Sequence, residues 1–133
     1  MYASHRLATR YFLLIKPMLT ELHNLPEGIL DRDTRSLQDL LGGPTLIHLP
    51  GDRQPALFLS VLLHGNETVG WEALRALLRQ RLARYGELRL PRALSIFIGN
   101  IAAAAAGVRH LPDQPDTTAS GRAANLPPPP SMT

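Results

Sequence analysis

The sequence predicts an α/β fold: a partial, mixed or mostly parallel sheet with flanking helices. Three segments carry that expectation. Residues 56–63 form an apolar run in which Ser60 is the one polar side chain. Residues 69–85 place Trp71, Leu74, Leu77, Leu78, Leu82 and Tyr85 at helical spacing. Residues 93–98 form a second apolar run, closed by Gly99-Asn100. Strand, helix and strand in that order make a β-α-β unit, which is almost always right-handed.

The remaining elements follow in chain order. Residues 1–17 are basic, hold no acidic residue and end at Lys16-Pro17. Met18 then opens a stretch that reads as a natural protein start, so the first segment is expected to be an extension; the alternative is a short helix that packs on the domain. Pro26-Glu27-Gly28 signals a turn. Residues 36–41 suit one or two helical turns, stopped by Gly42-Gly43-Pro44. Residues 45–49 are a short strand candidate, and 50–55 a turn or loop. Continuous apolarity over 56–63 suits a strand covered on both faces. In the helix, Arg75, Arg79 and Arg84 lie mainly off the apolar stripe. Thr68 or Asn66 offers a cap, and Gly86 a stop. Glu72 sits early and the arginines late, which suits the helix dipole. Residues 101–107 are nearly all Ala and suit a short helix or turn. Residues 109–116 are polar and broken by proline. Residues 117–133 lose all periodicity, and the run of four prolines favours polyproline II, so this segment reads as a disordered tail.

Composition narrows the function classes. A length of 133 residues fits one modest domain. Apolar residues are 44% of the chain but aromatics only 5%, so Leu and Ala must fill the core. There is no Cys, which removes disulfides, thiolate metal sites and Cys nucleophiles. The net charge is +3, Lys16 is the only Lys, and the arginines are scattered, so compositional bias explains the basicity better than a nucleic-acid partner. The patch Tyr11-Phe12-Leu13-Leu14-Ile15 is too short for a signal core or a membrane span. A cytoplasmic location is the default expectation, with no membrane and no nucleic acid as partners.

The chemistry concentrates at His64-Gly65-Asn66-Glu67-Thr68. A strand ending at His64 and a helix starting near Glu67 force a tight turn, and Gly65 lets the backbone fold closely there. An imidazole nitrogen and a carboxylate oxygen are both zinc ligands, and a catalytic zinc commonly takes three protein ligands. The bland alternative is a helix-capping turn, with Glu67 near free N–H groups and His64 as polar surface. Asn100 falls at the carboxyl end of the second strand. Open α/β sheets bind ligands along that rim, where both motifs converge.

The run Phe58-Leu59-Ser60-Val61-Leu62-Leu63-His64-Gly65-Asn66-Glu67-Thr68 resembles the zinc motif of the succinylglutamate desuccinylase/aspartoacylase family, within the zinc carboxypeptidase-like superfamily. A second stretch, Ile98-Gly99-Asn100-Ile101-Ala102-Ala103 continuing to Gly107-Val108-Arg109 and Asp116, resembles that family's strand-end Asn, its Gly-x-Arg and the start of its Asp-x-Asn-Arg motif. The resemblance spans residues 18–116 and implies a truncated zinc carboxypeptidase-like fold. It implies Zn2+ as cofactor with His64 and Glu67 as its first two ligands, and hydrolysis of the amide bond of an N-acyl amino acid. It implies that Arg109 serves catalysis and substrate binding, its permanent cation offsetting charge that develops on the substrate carbonyl. Without the resemblance Arg109 is a solvated loop residue. Asn100 would help bind substrate chiefly by ordering the loop. His48 and His110 match no family role.

The chain also departs from that family. Its Asn-Arg pair, which grips the substrate carboxylate, is replaced here by Thr117-Thr118-Ala119-Ser120-Gly121-Arg122. The family's third zinc ligand and its general-base Glu have no counterpart. A gene reading Asp-Tyr-Asn-Arg-Val-Trp-Pro, shifted by one nucleotide, yields the observed Thr-Thr-Ala-Ser-Gly-Arg, so a frameshift after Asp116 is expected, with an out-of-frame tail. The expected product is a truncated hydrolase with its third zinc ligand missing, inactive alone and prone to self-association through an open sheet edge. Two rival functions stay open: a non-catalytic α/β interaction module that pairs through that edge, and a basic nucleic-acid binder.

Overall fold

The computed structural model describes residues 18–115. The expected N-terminal extension over 1–17, the tail over 117–133 and Asp116 lie outside the described residues. Within them the chain is mixed α/β, with a four-stranded sheet and helices. The strands are β1 (Thr20–Leu22), β2 (Thr45–Leu49), β3 (Leu57–Val61) and β4 (Leu94–Ile98). The helices are α1 (Leu37–Leu41), α2 (Val69–Tyr85) and α3 (Ile101–Ala106), and a short 3-10 turn covers Ile29–Asp31. No helix among the described residues is long and apolar enough to cross a membrane.

The sheet order is β1-β2-β4-β3. β1 runs parallel to β2, and β3 parallel to β4, while β2 and β4 are antiparallel. The sheet is therefore mixed, with β2 and β4 inside and β1 and β3 at the edges. β3, α2 and β4 form the β-α-β unit that the periodicity predicts.

Alternation along the strands sorts the two faces. Ile47, Ile96 and Ile98 are fully buried on one face, with Leu49 and Val61 beside them in the core cluster. Trp71, Leu74 and Leu78 of α2 belong to the same cluster. The helix comes close there, because a Cβ on Gly70 would lie 3.3 Å from Val61 Cγ1. Trp71 is sealed in, and its indole N–H donates to the Arg32 carbonyl at 2.8 Å, so burial leaves no unpaired donor. On the other face Leu46, His48, Phe97, Phe58 and Ser60 are half-buried or exposed, while Ser95 is buried.

Two expectations need correction. The 56–63 run is not covered on both faces. β3 is an edge strand, and Leu57 and Phe58 are 59% and 62% exposed. An apolar run reports hydrophobic content and leaves open whether a neighbouring strand exists to cover it. The apolar stripe of α2 is also narrower than its spacing suggests. Leu77, Leu82 and Tyr85 are exposed, because only the Trp71, Leu74 and Leu78 side of the helix meets the sheet. Thr68 is the N-cap residue, yet its side chain makes no capping bond. Gly86 ends the helix as expected, at φ 70°.

β1 carries no clear sequence signal. It is three residues long and is held from outside by pairing with β2 and by the Thr20 N–H bond to the Pro44 carbonyl at 3.0 Å. The turn at Pro26-Glu27-Gly28 forms as its residues suggest, with Gly28 at φ 79° and the Ile29 N–H donating to the Pro26 carbonyl.

Candidate metal centre

The carboxyl ends of β3 and β4 lie side by side and build the rim. Gly99 N–H donates to the Val61 carbonyl at 3.1 Å, and Asn100 N–H donates to the Leu62 carbonyl at 2.6 Å. Leu62 adopts φ 54°, a conformation that a branched side chain disfavours. The surrounding bonds hold it there, and the chain turns sharply into His64.

Gly65 fixes the turn. A Cβ at that position would fall 2.4 Å from each of three backbone atoms: Ala103 C, Ala104 N and Val108 O. Only glycine lets the turn lie flat on α3. The Gly65 N–H then donates to the Arg109 carbonyl at 2.9 Å, and the Glu67 N–H donates to the His64 carbonyl at 3.1 Å. The His-to-Glu turn is thus wedged between α3 and the 107–109 segment.

Within that wedge the two predicted ligands meet. His64 Nδ1 lies 2.7 Å from Glu67 Oε1. His64 is buried, at 4% exposure, whereas the Glu67 side chain is 54% exposed. A carboxylate only accepts, so Nδ1 donates in this arrangement and the ring carries its proton there. Glu67 also precedes α2, whose N-terminus favours a negative charge.

Two ligands on one tetrahedral zinc, each about 2.0–2.1 Å from it, stand roughly 3.3 Å apart. The observed 2.7 Å needs only a small opening of the exposed Glu67 side chain. Nδ1, the nitrogen that faces the carboxylate, is the one a shared cation would take, with the ring proton moving to Nε2. The pair therefore fits part of a zinc donor set. No group of three His, Cys, Asp or Glu that could hold a metal occurs among the described residues.

The other predicted residues lie on the same rim in different roles. Arg109 is exposed and reaches the motif through its backbone, as acceptor from Gly65. Asn100 caps α3, its Oδ1 accepting from Ala103 N–H at 3.1 Å. Its Nδ2 donates to Gln114 Oε1 at 2.8 Å, and that oxygen also accepts from Leu111 N–H at 2.9 Å. Asn100 thereby ties the segment after α3 to the strand end. Gln114 was not singled out in the sequence, because nothing local marks a residue whose partner lies 14 positions away.

A separate polar ladder crosses the more open face of the sheet. His48 Nε2 lies 2.6 Å from Glu21 Oε1 on β1, and Nδ1 lies 2.8 Å from Ser95 Oγ on β4. Glu21 can only accept, so Nε2 donates to it and the Ser95 hydroxyl donates to Nδ1. His23 stacks on His48, with ring centroids 5.3 Å apart. His48 is thus a cross-strand clasp rather than a member of the rim.

A cleft of about 670 Å3 lies away from His64, among Leu25, Ile29, Leu49, Leu82 and Leu88. Its lining holds Glu27, Asp31 and Arg79 but no His, so the rim, where an imidazole meets a carboxylate, remains the candidate centre. The arginines of α2 have partners inside the chain. Arg75 bonds Glu72 at 2.7 Å, Arg79 lies 3.7 Å from Asp31, and Arg81 donates to the Arg89 carbonyl at 2.8 Å. Comparison of the chain with protein-family models, curated proteins and solved structures finds no match in any of the three.

Proposed function

We propose that this chain carries the first part of a zinc-dependent hydrolase site for the amide bond of an N-acyl amino acid, and that it is inactive by itself. The reading follows the resemblance to the succinylglutamate desuccinylase/aspartoacylase family and to the zinc carboxypeptidase-like fold. The observation that carries it is the 2.7 Å approach of His64 Nδ1 to Glu67 Oε1 at the carboxyl end of β3. The turn that brings the two side chains together is seated by Gly65 against α3 and by its N–H bond to the Arg109 carbonyl.

In this reading His64 and Glu67 would hold the metal, the buried imidazole being the more firmly set of the two donors. When bound, zinc supplies Lewis acidity at the rim. The Arg109 guanidinium would, in the same reading, offset charge developing on a substrate carbonyl, and the Gly65 N–H bond to its backbone carbonyl ties Arg109 to the motif. Asn100 orders the segment that carries Arg109, through α3 and Gln114. Two ligands stand among the described residues where a catalytic zinc commonly takes three, and on these two alone zinc affinity is low and turnover of N-acyl amino acids is very slow or absent.

Zinc titration by calorimetry on the wild-type chain, His64→Ala and Glu67→Ala tests the assignment. The wild type should bind zinc weakly, and each variant should lose at least tenfold in affinity. Equal affinity in all three proteins removes the site. A second reading, a non-catalytic interaction module, is favoured by one observation: the exposed apolar edge at Leu57 and Phe58.

A further inference from the structure

We infer that the outer edge of β3, which no described strand pairs, pairs with the same edge of a second copy of this chain, as a two-fold antiparallel ribbon centred on Leu59. The inference rests on the interaction-module reading and names its partner, and it does not depend on zinc or catalysis.

The backbone sets the geometry. Leu57 N–H donates to the Ala93 carbonyl at 2.8 Å, and the Val61 carbonyl accepts from Gly99 N–H at 3.1 Å. Peptide groups alternate in direction along a strand, so residues 57, 59 and 61 bond to β4. Phe58 and Ser60 then direct their N–H and C=O groups to the open side. A two-fold axis at Leu59, the midpoint of the strand, sets Phe58 of one copy opposite Ser60 of the other, twice. Each such pair exchanges two bonds, so all the outward groups of Phe58 and Ser60 are satisfied in both copies. A slip of one residue would set outward groups against inward ones, and a slip of two would shorten the overlap.

The side chains agree with that register. No charged residue or proline lies within 56–63, the devices that usually blunt an edge. Leu57 and Phe58 point to opposite faces and are 59% and 62% exposed, so pairing would cover apolar surface on both sides of the sheet. With Leu63 and the backbone, the pair would bury roughly 1,000 Å2 in total, the low end for a specific interface. A reversible dimer with a dissociation constant on the order of 10–100 μM is the expected strength. Growth stops at two copies, because the other edge, β1, is three residues long and carries Glu21.

The chain has no Cys, which makes a cross-link test clean. Leu59→Cys would face its own copy across a non-hydrogen-bonded pair, with Cα atoms about 4.5 Å apart and within disulfide reach. Leu57→Cys would face residue 61 of the other copy, so its own counterpart would lie about 13 Å away. Under mild oxidation Leu59→Cys should form a disulfide dimer at least tenfold faster than Leu57→Cys. Sedimentation velocity should show a monomer–dimer equilibrium for the wild type and a monomer for Phe58→Lys, with matching far-UV dichroism. Equal cross-linking at both positions overturns the register. A wild type that stays monomeric at several hundred micromolar, or that grows beyond a dimer, overturns the pairing itself.

Discussion

Gly65→Ala probes whether the His64–Glu67 turn depends on its seat against α3. The added methyl would stand 2.4 Å from Ala103 C, Ala104 N and Val108 O. Carbon contacts are comfortable at about 3.5–4.0 Å, so the turn must lift by more than about 1 Å. All three obstacles are backbone atoms, which cannot rotate away as a side chain can. Overpacking typically costs 1–3 kcal/mol, and rigid surroundings place this case near the upper end. Lifting the turn also stretches the Gly65 N–H bond to the Arg109 carbonyl, now 2.9 Å. Losing it costs about 1 kcal/mol more. The expected loss is therefore about 3–4 kcal/mol, a large share of the 5–15 kcal/mol that typically holds a domain together. Urea denaturation followed by far-UV dichroism reads it directly. Gly43→Ala is the matched control, since a Cβ there would meet nothing within 4 Å and its φ is not positive. A Gly65→Ala midpoint within about 0.5 kcal/mol of the Gly43→Ala value would refute the packing argument. The lifted turn should also weaken zinc binding, which the titration of the same variant would show.

Two more outcomes follow from hydrogen bonds at Asn100 and Asp33. Asn100→Ala removes the α3 cap and the tie to Gln114, and should cost about 1–2 kcal/mol in thermal denaturation, while Asn100→Asp, which keeps the capping oxygen, should recover part of it. Asp33 accepts from the Ser36 hydroxyl at 2.9 Å and from the Ser36 N–H at 3.0 Å, and the hydroxyl bond chiefly holds its carboxyl below the ordinary value of 3.8. A depressed folded-state pKa means that this contribution is full above pH 3.8 and fades as pH falls through the folded value. An acid titration should therefore find Asp33→Asn less sensitive than the wild type below that pH. Parallel acid profiles for the two proteins would contradict the assignment.

Local features of the fold were legible in the sequence, and partnered ones were not. Helix α2 was readable at both ends, because Gly86 is a backbone stop and the 3.6-residue period needs no distant partner. The turn His64-Gly65-Asn66-Glu67 was readable because its two side chains meet within three residues. By contrast, the burial of β3 depends on which strands flank it, and residues 56–63 look the same in a central strand as in an edge strand. β1 exists only because β2 is there to receive it. The clasp at His48 joins residues 27 and 47 positions away, Glu21 and Ser95, which no local pattern relates. Asn100 was legible as a strand-end residue, but its bond to Gln114 required the fold of the intervening segment.

The strand order also dictates a sequence of events in folding. β2 and β3 are consecutive in the chain, yet β4 lies between them. No hairpin can form early from these two strands. β2 can pair with the short β1, but β3 must wait for residues 94–98, the last strand of the sheet, which also supply the second partner of β2. On a ribosome the sheet would therefore stay incomplete until β4 has left the exit tunnel, with α2 and the short β1–β2 pair able to form beforehand. Cotranslational stability should rise chiefly in one late step, so nascent chains that stop before residue 94 should remain open to protease above all at β3.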